Sequence, residues 1–445
     1  MTTPLVRFAP SPTGWLHVGN ARTALANYLF AKSQGGRFML RIDDTDLERS
    51  KTEYELGLQE DLRWLGLAWD AFEKQSARFA QYEAAKLKLI EDGRLYPCYE
   101  TAEELEVKRK MLIGRGLPPV YDRGALAMTE EQKREKEQAG IRPHYRFKLN
   151  HTPIVWDDMI RGRVEFDGAK LSDPVLLRED GTVLFTLATS VDDGEMGITH
   201  IIRGEDHVSN TAIQVQIMEA LGHRPPVFGH MALLKMKDGK ISKRVGGGDV
   251  RSLREGGVFP LVMTSYLAKI GTSDAIDLAP SLQELVQQFS IGKLGRSMAN
   301  YDPLEVERLN QKLLHQMSFA EVKPLLASRG IAVDEGFWES IKPNLTTIDD
   351  AKEWWDLLSQ PITPKIDDAA FTNQAAGLLP TGEWNESSWD QFVGAVKEAT
   401  GRKGRELFMP LRLALTGMEH GPEMKTVFAL LGRARAEKRL LGEAA

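Results

Sequence analysis

The chain has 445 residues and a single cysteine, Cys98, so it can form neither a disulfide framework nor a thiolate-rich metal site within one chain. No apolar run approaches the roughly 20 residues that a membrane-spanning helix needs, and the first residues lack a basic segment followed by a long apolar one. We therefore expect a cytoplasmic protein of roughly two to four domains that has no membrane partner. The net charge of −6 leaves nucleic-acid binding open, because a basic face can lie on an acidic protein.

The first predicted element is a short apolar strand over residues 5–8. A turn rich in proline and glycine follows it and leads to His17, Gly19 and a helix over residues 21–30. Unpaired N–H groups at a helix N-terminus, a glycine that lets backbone approach a ligand and a histidine donor are together typical of a phosphate-binding site. A structural turn is the alternative that this stretch alone leaves open. The sequence contains no G-x-x-x-x-G-K-[ST] pattern, which argues against a P-loop NTPase.

Alternating residues predict a second strand over residues 37–42, which leads into an aspartate-rich loop at residues 43–46. Two helices follow, one that ends near Gly66 and one that begins near Ser76. The order strand, helix, strand, helix predicts a parallel α/β sheet. In such sheets, ligands bind beyond the carboxyl ends of the strands, where the opening turn and the aspartate-rich loop both fall.

Residues 100–138 are strongly charged. We interpret them as solvated helices of an inserted domain rather than as a nucleic-acid patch, because acidic residues are interleaved with basic ones and aromatic residues are scarce. Strands are predicted again around residues 145–149, 164–166 and 182–187. The insertion should therefore return to the main sheet near Phe185.

The residues from Phe185 to Arg244 are predicted to form a second α/β half. A buried strand over residues 196–203 ends in Arg203, and a helix that ends at Gly222 follows it. A basic loop at residues 240–244 then precedes three glycines. Beyond about residue 255 we expect no further strands. Helices are predicted over residues 260–268, 282–289, 304–317, 319–326, 351–358, 389–400 and 425–431.

The opening turn and the basic loop together indicate a ligand with several phosphates. His17 and the helix N-terminus would hold the α-phosphate, while Lys240 and Lys243 would stabilise the charge that builds up on the transferred group. Displacement at phosphorus needs such positioning and electrostatic help more than covalent chemistry from the protein. Taken alone, each motif has a structural alternative, which is a turn before a helix or a solvated surface loop.

The most specific motifs are residues 7–14 with 16–20, 40–46, 192–193 with 196–207, 240–244, and 404–412 with 415–417 and 420–422. In combination they closely resemble bacterial glutamyl-tRNA synthetases, which are class I aminoacyl-tRNA synthetases, and the resemblance covers essentially the whole chain. It implies a Rossmann-type α/β catalytic domain with a parallel sheet and an inserted α+β domain, followed by all-α stem-contact and anticodon-binding domains. The implied boundaries are 1–98 and 185–250 for the two catalytic halves, 99–184 for the insertion, 251–315 for the stem-contact domain and 316–445 for the anticodon-binding region.

The resemblance implies an ATP-dependent ligase of protein biosynthesis. It would activate L-glutamate as glutamyl-adenylate, with Mg²⁺ bound together with ATP, and transfer the glutamyl group to the 3′-terminal adenosine of tRNA(Glu). Charging of tRNA(Gln) as well stays open, and a monomer is expected. Two other hypotheses are an enzyme that attaches glutamate to a modified tRNA base and an RNA-binding paralogue that has lost catalysis. The long helical C-terminal region argues against the first, and the intact signature motifs argue against the second.

By the same resemblance, catalysis would depend on His17, Asn20, Lys240 and Lys243. ATP would be bound by His17, Gly19, Asn20, His207, Leu234, Lys240, Ser242 and Lys243. Glutamate would be bound by Arg7, Ala9, Ser11, Asp43, Phe185, Thr189 and Arg203. The tRNA would contact Asp46, Arg49 and Met424, with Arg402, Lys403, Arg405 and Arg412 as candidate phosphate contacts or, alternatively, solvated surface residues. For Arg203, whose guanidinium suits a planar carboxylate, a salt bridge at the end of its strand is the structural alternative.

The chain departs from the family at three positions of the glutamate pocket and in the inserted domain. Asp43, Phe185 and Thr189 stand where the family usually has Glu, Tyr and Asn. Phe185 cannot donate the hydrogen bond that a tyrosine hydroxyl would give to a substrate carboxylate, a loss on the order of 1 kcal/mol. The inserted domain of the family often carries a Cys-x-Cys zinc site, whereas Cys98 is the only cysteine of this sequence. We therefore predict no structural zinc.

Overall fold

The structure is a computed structural model and describes residues 3–236, 248–382, 384–385 and 387–445. The strands in this part of the chain are β1 (Leu5–Phe8), β2 (Arg37–Ile42), β3 (Ala71–Lys74), β4 (Leu95–Cys98), β5 (His144–Phe147), β6 (Pro153–Asp158), β7 (Gly162–Asp167), β8 (Val175–Leu177), β9 (His200–Gly204), β10 (Val227–Met231), β11 (Leu234–Met236) and β12 (Ala299–Tyr301).

The same part of the chain contains nineteen α-helices. They are α1 (Val18–Ser33), α2 (Thr52–Trp64), α3 (Phe79–Glu91), α4 (Ala102–Gly114), α5 (Glu130–Gln138), α6 (Phe185–Glu195), α7 (Val208–Leu221), α8 (Val250–Glu255), α9 (Pro260–Lys269), α10 (Leu282–Gln288), α11 (Pro303–Gln316), α12 (Phe319–Ser328), α13 (Glu335–Ile341), α14 (Asp350–Ser359), α15 (Ala369–Ala376), α16 (Ser387–Thr400), α17 (Arg405–Thr416), α18 (Met424–Leu431) and α19 (Arg433–Leu440). None of them is both long and apolar enough to cross a membrane.

The chain divides into two units. Residues 1–255 and 259–303 form the first, and residues 256–258 and 304–445 form the second. The first unit contains the sheets, and the second is helical. The predicted fold class, a parallel-sheet α/β domain with an α+β insertion and an all-α C-terminal region, is confirmed.

A five-stranded sheet in the order β10-β9-β1-β2-β3 organises the first unit, and all of its pairs are parallel. The chain enters at the central strand β1, adds β2 and β3 on one side, and later adds β9 and β10 on the other. The strand order therefore reverses between β1 and β9, which is where ligands bind in open parallel sheets. Consecutive residues of β2 from Phe38 to Ile42 are all buried, so both faces of the sheet are covered there.

Residues 95–177, which include β4 from just before the predicted insertion, form two small antiparallel structures. One is the three-stranded sheet β4-β5-β8, and the other is the hairpin β6-β7. Helices α4 and α5 contain no buried residue, which confirms the interpretation of the charged stretch as solvated helices.

Two predictions about strands are wrong. The stretch 182–187 is not a strand, because Phe185 begins α6 and only Val183 makes an isolated bridge, to Leu177. Helical spacing decides this case, since Leu187, Ala188 and the later residues of α6 are buried together. Strands also do not end at residue 255, because β12 pairs in parallel with β11.

The helix of the second α/β half ends where the sequence predicts. Helix α7 ends at Gly222, whose φ of 86° lies in the left-handed region that glycine adopts without strain. The predicted C-terminal helices are present, and α8, α13, α15, α17 and α19 are additional. Helix α17 contains Pro410, a residue that usually ends a helix, which is why its extent is hard to read from the sequence.

Candidate active site

A cleft with a volume of about 610 Å³ opens at the carboxyl ends of β1, β9 and β10. It brings together residues that lie more than two hundred positions apart in the sequence, from Arg7 to Leu234. Those predicted for ATP or glutamate that line it are Arg7, Ala9, Ser11, His17, Gly19, Asn20, Phe185, Arg203, His207 and Leu234. The predicted residues of both ligands therefore share one cavity.

A smaller cavity of about 160 Å³ is lined by some of the same residues, Ser11, Thr13 and Phe185. Asp43, Asp46 and Arg49 line it as well. Asp46 accepts a hydrogen bond of 2.6 Å from Arg49 Nε, and both side chains are exposed at the surface.

Three groups of predicted residues lie elsewhere. Thr189 lines neither cavity and is fully buried in α6, where its hydroxyl lies 3.5 Å from Asp43 Oδ2. Lys240, Ser242 and Lys243 lie outside the residues that the structure describes. Met424 belongs to the second unit.

The second unit changes the expectation for Met424. This residue begins α18 and is buried, so the structure does not support a base contact by its side chain. Two of the candidate phosphate contacts already have partners within the unit. Arg402 donates to Asp368 over 2.6 Å and lies over the ring of Phe371, and Arg412 donates to a backbone carbonyl.

His17 occupies the N-cap of α1. Its Nδ1 accepts the N–H of Gly19 over 3.1 Å, so a neutral ring carries its proton on Nε2 and presents a donor there. The N–H of Val18 is bound to the carbonyl of Gly248 at 2.8 Å. The N–H of Asn20 is the first-turn donor for which the described residues supply no partner. This helix end therefore offers one imidazole N–H and one backbone N–H to an anion.

A chain of buried charges joins the strands below the cleft. Arg7 donates to both carboxylate oxygens of Asp193, over 3.0 and 3.2 Å. Arg41 donates to both oxygens of Asp43, over 2.7 and 3.2 Å, and its third nitrogen donates to Asp193 over 2.7 Å. All four side chains are buried. Two of the three nitrogens of the Arg7 guanidinium are thus occupied, and Nη1 is the one left for a ligand.

Sequence reasoning did not assign roles to Arg41 and Asp193. A signal was available for Arg41, because an arginine within the apolar run of β2 must be paired if it is buried. Burial alone would raise the pKa of Asp193, but Arg7 and Arg41 hold it below its usual range. Burial raises the pKa of Asp43 to about 6, although Arg41 opposes the shift. The two carboxyl groups therefore differ in charge under mildly acidic conditions.

Arg203 lies at the end of β9 and has no acidic partner. Its Nη2 donates to the hydroxyl of Thr211 over 2.6 Å and to Gln214 Oε1 over 2.7 Å. Its Nη1 is buried without a hydrogen-bond partner, and no carboxylate of the described residues lies within salt-bridge distance. The alternative of a strand-end salt bridge is therefore not observed. Burial lowers the pKa of Arg203 to about 9, as expected of a cation that lacks a counter-ion.

His207 and Phe185 both line the cleft, and their rings lie next to each other. Their ring centroids are 5.6 Å apart. Burial lowers the pKa of His207 to about 4, so the imidazole is neutral near neutral pH. The cleft thus has an unpaired cation at one end and the N–H donors of a helix N-terminus at the other. This arrangement suits a small anionic molecule held next to a phosphate.

Two family descriptions match the chain. "tRNA synthetases class I (E and Q), catalytic domain" covers residues 5–306, and "Anticodon binding domain" covers residues 283–442. The chain belongs to this class I tRNA synthetase family. The resemblance inferred from the motifs is thereby confirmed.

Individual relatives of the synthetase agree with the family. Glutamate–tRNA ligase 1 of Parvibaculum lavamentivorans is 52% identical over 442 residues, which cover 99% of this chain and 98% of the relative. Glutamate–tRNA ligase of Azospirillum brasilense is 50% identical over 443 residues, 99% of each chain. The crystal structure of a glutamate tRNA ligase from Elizabethkingia meningosepticum in complex with its amino acid is 28% identical, with a TM-score of 0.77 over 99% of this chain and 98% of that one.

Enzymes of this class use ATP, generally with Mg²⁺. Within the described residues, no group of three or more His, Cys, Asp or Glu side chains could hold a metal ion.

Proposed function

We propose that the protein is a glutamate–tRNA ligase that acts as a monomer. It activates L-glutamate with ATP and transfers the glutamyl group to the 3′-terminal adenosine of tRNA(Glu). The observation that carries this proposal is the buried guanidinium of Arg203, which lies in the same cleft as the N-terminus of α1 and has a free nitrogen. Relatives with about half of their residues identical over the full length carry the same name.

Glutamate would lie at the cationic end of the cleft. Its side-chain carboxylate would accept hydrogen bonds from Nη1 of Arg203 and Nη1 of Arg7, the two guanidinium nitrogens left open by their protein partners. Asp43 would attract the α-ammonium, and Ser11 would contact the carboxyl end. The residues predicted to bind glutamate also include Ala9, Phe185 and Thr189.

ATP would lie at the other end. His17 Nε2 and the backbone N–H of Asn20 would bind the α-phosphate, with Gly19, His207 and Leu234 beside the nucleotide. An oxygen of the α-carboxylate attacks the α-phosphorus, the bond to pyrophosphate breaks, and a mixed anhydride forms. Lys240, Ser242 and Lys243 would stabilise the charge on the departing pyrophosphate. A hydroxyl of the terminal adenosine then attacks the carbonyl and AMP leaves.

The tRNA would approach from the smaller cavity. Asp46 and Arg49 line it and are exposed, which suits a contact with the terminal adenosine. The helical second unit would read the anticodon, as the family description of residues 283–442 suggests. The proposed domain boundaries remain those at residues 98, 184, 250 and 315.

Glutamate-dependent exchange between ATP and pyrophosphate tests activation directly. The purified protein is assayed with and without tRNA, because enzymes that resemble this chain are expected to need tRNA for efficient adenylation. Exchange that depends on glutamate and not on glutamine supports the proposal. Absence of exchange under both conditions contradicts it.

Glutamate binding is expected to weaken as the pH falls through about 6. The reason is that burial places the pKa of Asp43 at about 6, and its protonation removes the charge that would attract the α-ammonium. Below this pH, Kd should rise about tenfold per pH unit, since glutamate itself keeps its charges down to about pH 5. Isothermal titration calorimetry between pH 5 and 8 measures the effect.

Unfolding does not explain such a loss. The pKa of Asp43 is raised above its ordinary value of 3.8, so this group stabilises the folded state further as the pH falls from about 6. Asp43→Asn is the control, because an amide binds more weakly but without this pH slope. A constant Kd for the parent protein over the whole range would show that Asp43 does not hold the ammonium.

Phe185→Tyr is expected to lower the Kd for glutamate about fivefold. The added hydroxyl can supply the hydrogen bond to a substrate carboxylate that a phenylalanine lacks, which contributes on the order of 1 kcal/mol. Calorimetry on Phe72→Tyr is the matched control, because Phe72 is an exposed phenylalanine of β3 away from the cleft. An unchanged Kd in Phe185→Tyr would mean that the ring at this position does not reach the ligand.

Purified protein is expected to contain no stoichiometric zinc. Cys98 is buried, and burial raises the pKa of its thiol to about 11, so the thiolate that binds zinc does not form readily. The hydroxyl of Tyr121 lies 3.7 Å from the sulfur and donates to Glu100 over 2.8 Å. Metal analysis by mass spectrometry decides the matter, and one zinc ion per chain would refute the expectation.

A further inference from the structure

A histidine and an aspartate lie buried behind Arg203. His230, in β10, contacts Asp158 Oδ2 through Nδ1 over 2.5 Å. On the other side of the ring, Nε2 lies 2.8 Å from the hydroxyl of Thr211 and 3.4 Å from Nε of Arg203. Both His230 and Asp158 are shielded from solvent, so neither can touch glutamate or ATP.

Asp158 is held in one orientation by the backbone. Its Oδ1 accepts the N–H groups of Ile160, Arg161 and His230, over 3.0, 3.0 and 3.1 Å. Oδ2 is therefore the oxygen that faces the imidazole. Burial alone would raise the pKa of Asp158, but the hydrogen bonds from His230 and the backbone lower it to about 2, so the group is an anion.

This anion determines which ring nitrogen carries the proton. A carboxylate oxygen 2.5 Å away accepts a hydrogen bond, so Nδ1 of His230 is the protonated nitrogen. Burial and the nearby Arg203 lower the pKa of His230, which keeps the ring neutral. Nε2 is then a bare acceptor that faces the N–H of Arg203 and the hydroxyl of Thr211.

We propose that Asp158 and His230 are positioning residues that orient the guanidinium of Arg203 for the side-chain carboxylate of glutamate. Nε2 of His230 accepts from the Nε side of the guanidinium, while Thr211 and Gln214 accept from Nη2. Nη1 is then the nitrogen without a protein partner, in a residue that lines the cleft. The pair thereby increases affinity for an anionic side chain over the neutral amide of glutamine. This inference rests on the proposed function, because it assigns glutamate to Arg203.

The hairpin β6-β7 acquires a role through this pair. Asp158 is the last residue of β6, and β6 packs beside β10, which carries His230. The segment predicted as an insertion therefore supplies a residue that acts on the amino-acid site. The imidazole ring of His230 lies between that residue and Arg203.

Asp158→Asn is the sharpest test. The three backbone N–H groups hold the amide oxygen in the place of Oδ1, so the amide N–H₂ faces Nδ1 of His230. The ring must then accept at Nδ1 and carry its proton on Nε2, where it opposes the N–H of Arg203. We expect the KM for glutamate to rise about tenfold or more, while kcat and the KM for ATP stay within about twofold, because a wrong tautomer impairs only what the ring orients.

Two substitutions of His230 form a matched pair. In His230→Gln the longer amide reaches the place of Nε2 and can present its oxygen to Arg203, so affinity for glutamate is expected to stay within about threefold of the parent. In His230→Asn the shorter amide reaches only the place of Nδ1, keeps the bond to Asp158 and loses the acceptor. This variant is expected to resemble Asp158→Asn. Nitrogen-15 spectra of labelled histidine report the protonated ring nitrogen in the parent and in Asp158→Asn.

The outcomes separate this inference from the proposed function. A parent protein without glutamate-dependent exchange would overturn the proposed function and the inference with it. A parent that is active, together with an Asp158→Asn variant whose KM for glutamate is unchanged, would overturn the inference alone. If Asp158→Asn does not fold, the His230 pair decides, because equal affinities of the Gln and Asn variants contradict the orienting role. A uniform fall in kcat with unchanged KM for glutamate in both variants would also contradict it.

Discussion

Arg203→Gln raises the KM for glutamate by about 30-fold or more and leaves the KM for ATP within about twofold. Removing one partner from a buried, hydrogen-bonded charge pair costs about 2–5 kcal/mol, and 1.4 kcal/mol corresponds to about tenfold in affinity. Arg203 meets these conditions once the carboxylate is bound, because its guanidinium is buried and its other donors are already satisfied by neutral groups. The exchange assay at varied glutamate and varied ATP separates the two KM values.

The control for this result is Arg224→Gln. Arg224 is exposed and lies in the connection after α7, so the same chemical change there leaves both KM values unaltered. Thermal unfolding of both variants shows whether the cleft is intact. Equal increases in the KM for glutamate and for ATP would contradict a specific role of Arg203 in amino-acid binding.

Asp193→Ala destabilises the first unit by about 3–5 kcal/mol, because removing one member of a buried ion pair leaves its partners uncompensated. Asp193 lies between two buried guanidinium groups, with Arg7 at 3.0 Å and Arg41 at 2.7 Å. Without the carboxylate, Arg41 keeps Asp43 and the more distant Asp192, at 3.8 Å, but Arg7 loses both of its carboxylate hydrogen bonds. Native-state hydrogen exchange of the amides in β1 and β2 measures the loss.

The second unit serves as an internal reference for this measurement. Amides of α16 and α18 belong to the helical unit, so their exchange rates should not change. Asp157→Ala is the matched control, because Asp157 is an exposed aspartate next to a buried one and its removal leaves no buried cation unpaired. Destabilisation of β1 and β2 by less than about 1 kcal/mol in Asp193→Ala would show that water or rearrangement replaces the carboxylate.

The local patterns of the sequence predicted most of the catalytic sheet and one side of the cleft. The strand, turn and helix around His17 are consecutive in the chain, so neighbouring residues determine their geometry. Arg203 ends a clearly apolar strand, and its binding role was implied by the resemblance to glutamyl-tRNA synthetases. Short elements were missed, since β3 and β4 have four residues each and β12 has three, too few to show a period.

What the sequence could not predict depends on partners that are distant in the chain. Arg41 is paired with Asp193, 152 residues away, and no local pattern reveals that contact. His230 likewise meets Asp158 across 72 residues. Phe185 shows a second limit of local patterns. Residues 182–187 alternate like a strand, yet Phe185 begins α6, whose later residues are buried. Tertiary packing decides such cases.

Aminoacylation of purified tRNA tests the central claim most directly. The protein is incubated with ATP, Mg²⁺ and radiolabelled glutamate, in parallel with tRNA(Glu) and with tRNA(Gln), and labelled ester bound to the 3′ end is counted. We expect ATP-dependent glutamylation of tRNA(Glu), and the tRNA(Gln) reaction shows whether the acceptor range extends further. Absence of glutamyl ester on both tRNAs, from protein that binds glutamate and ATP, would contradict the account.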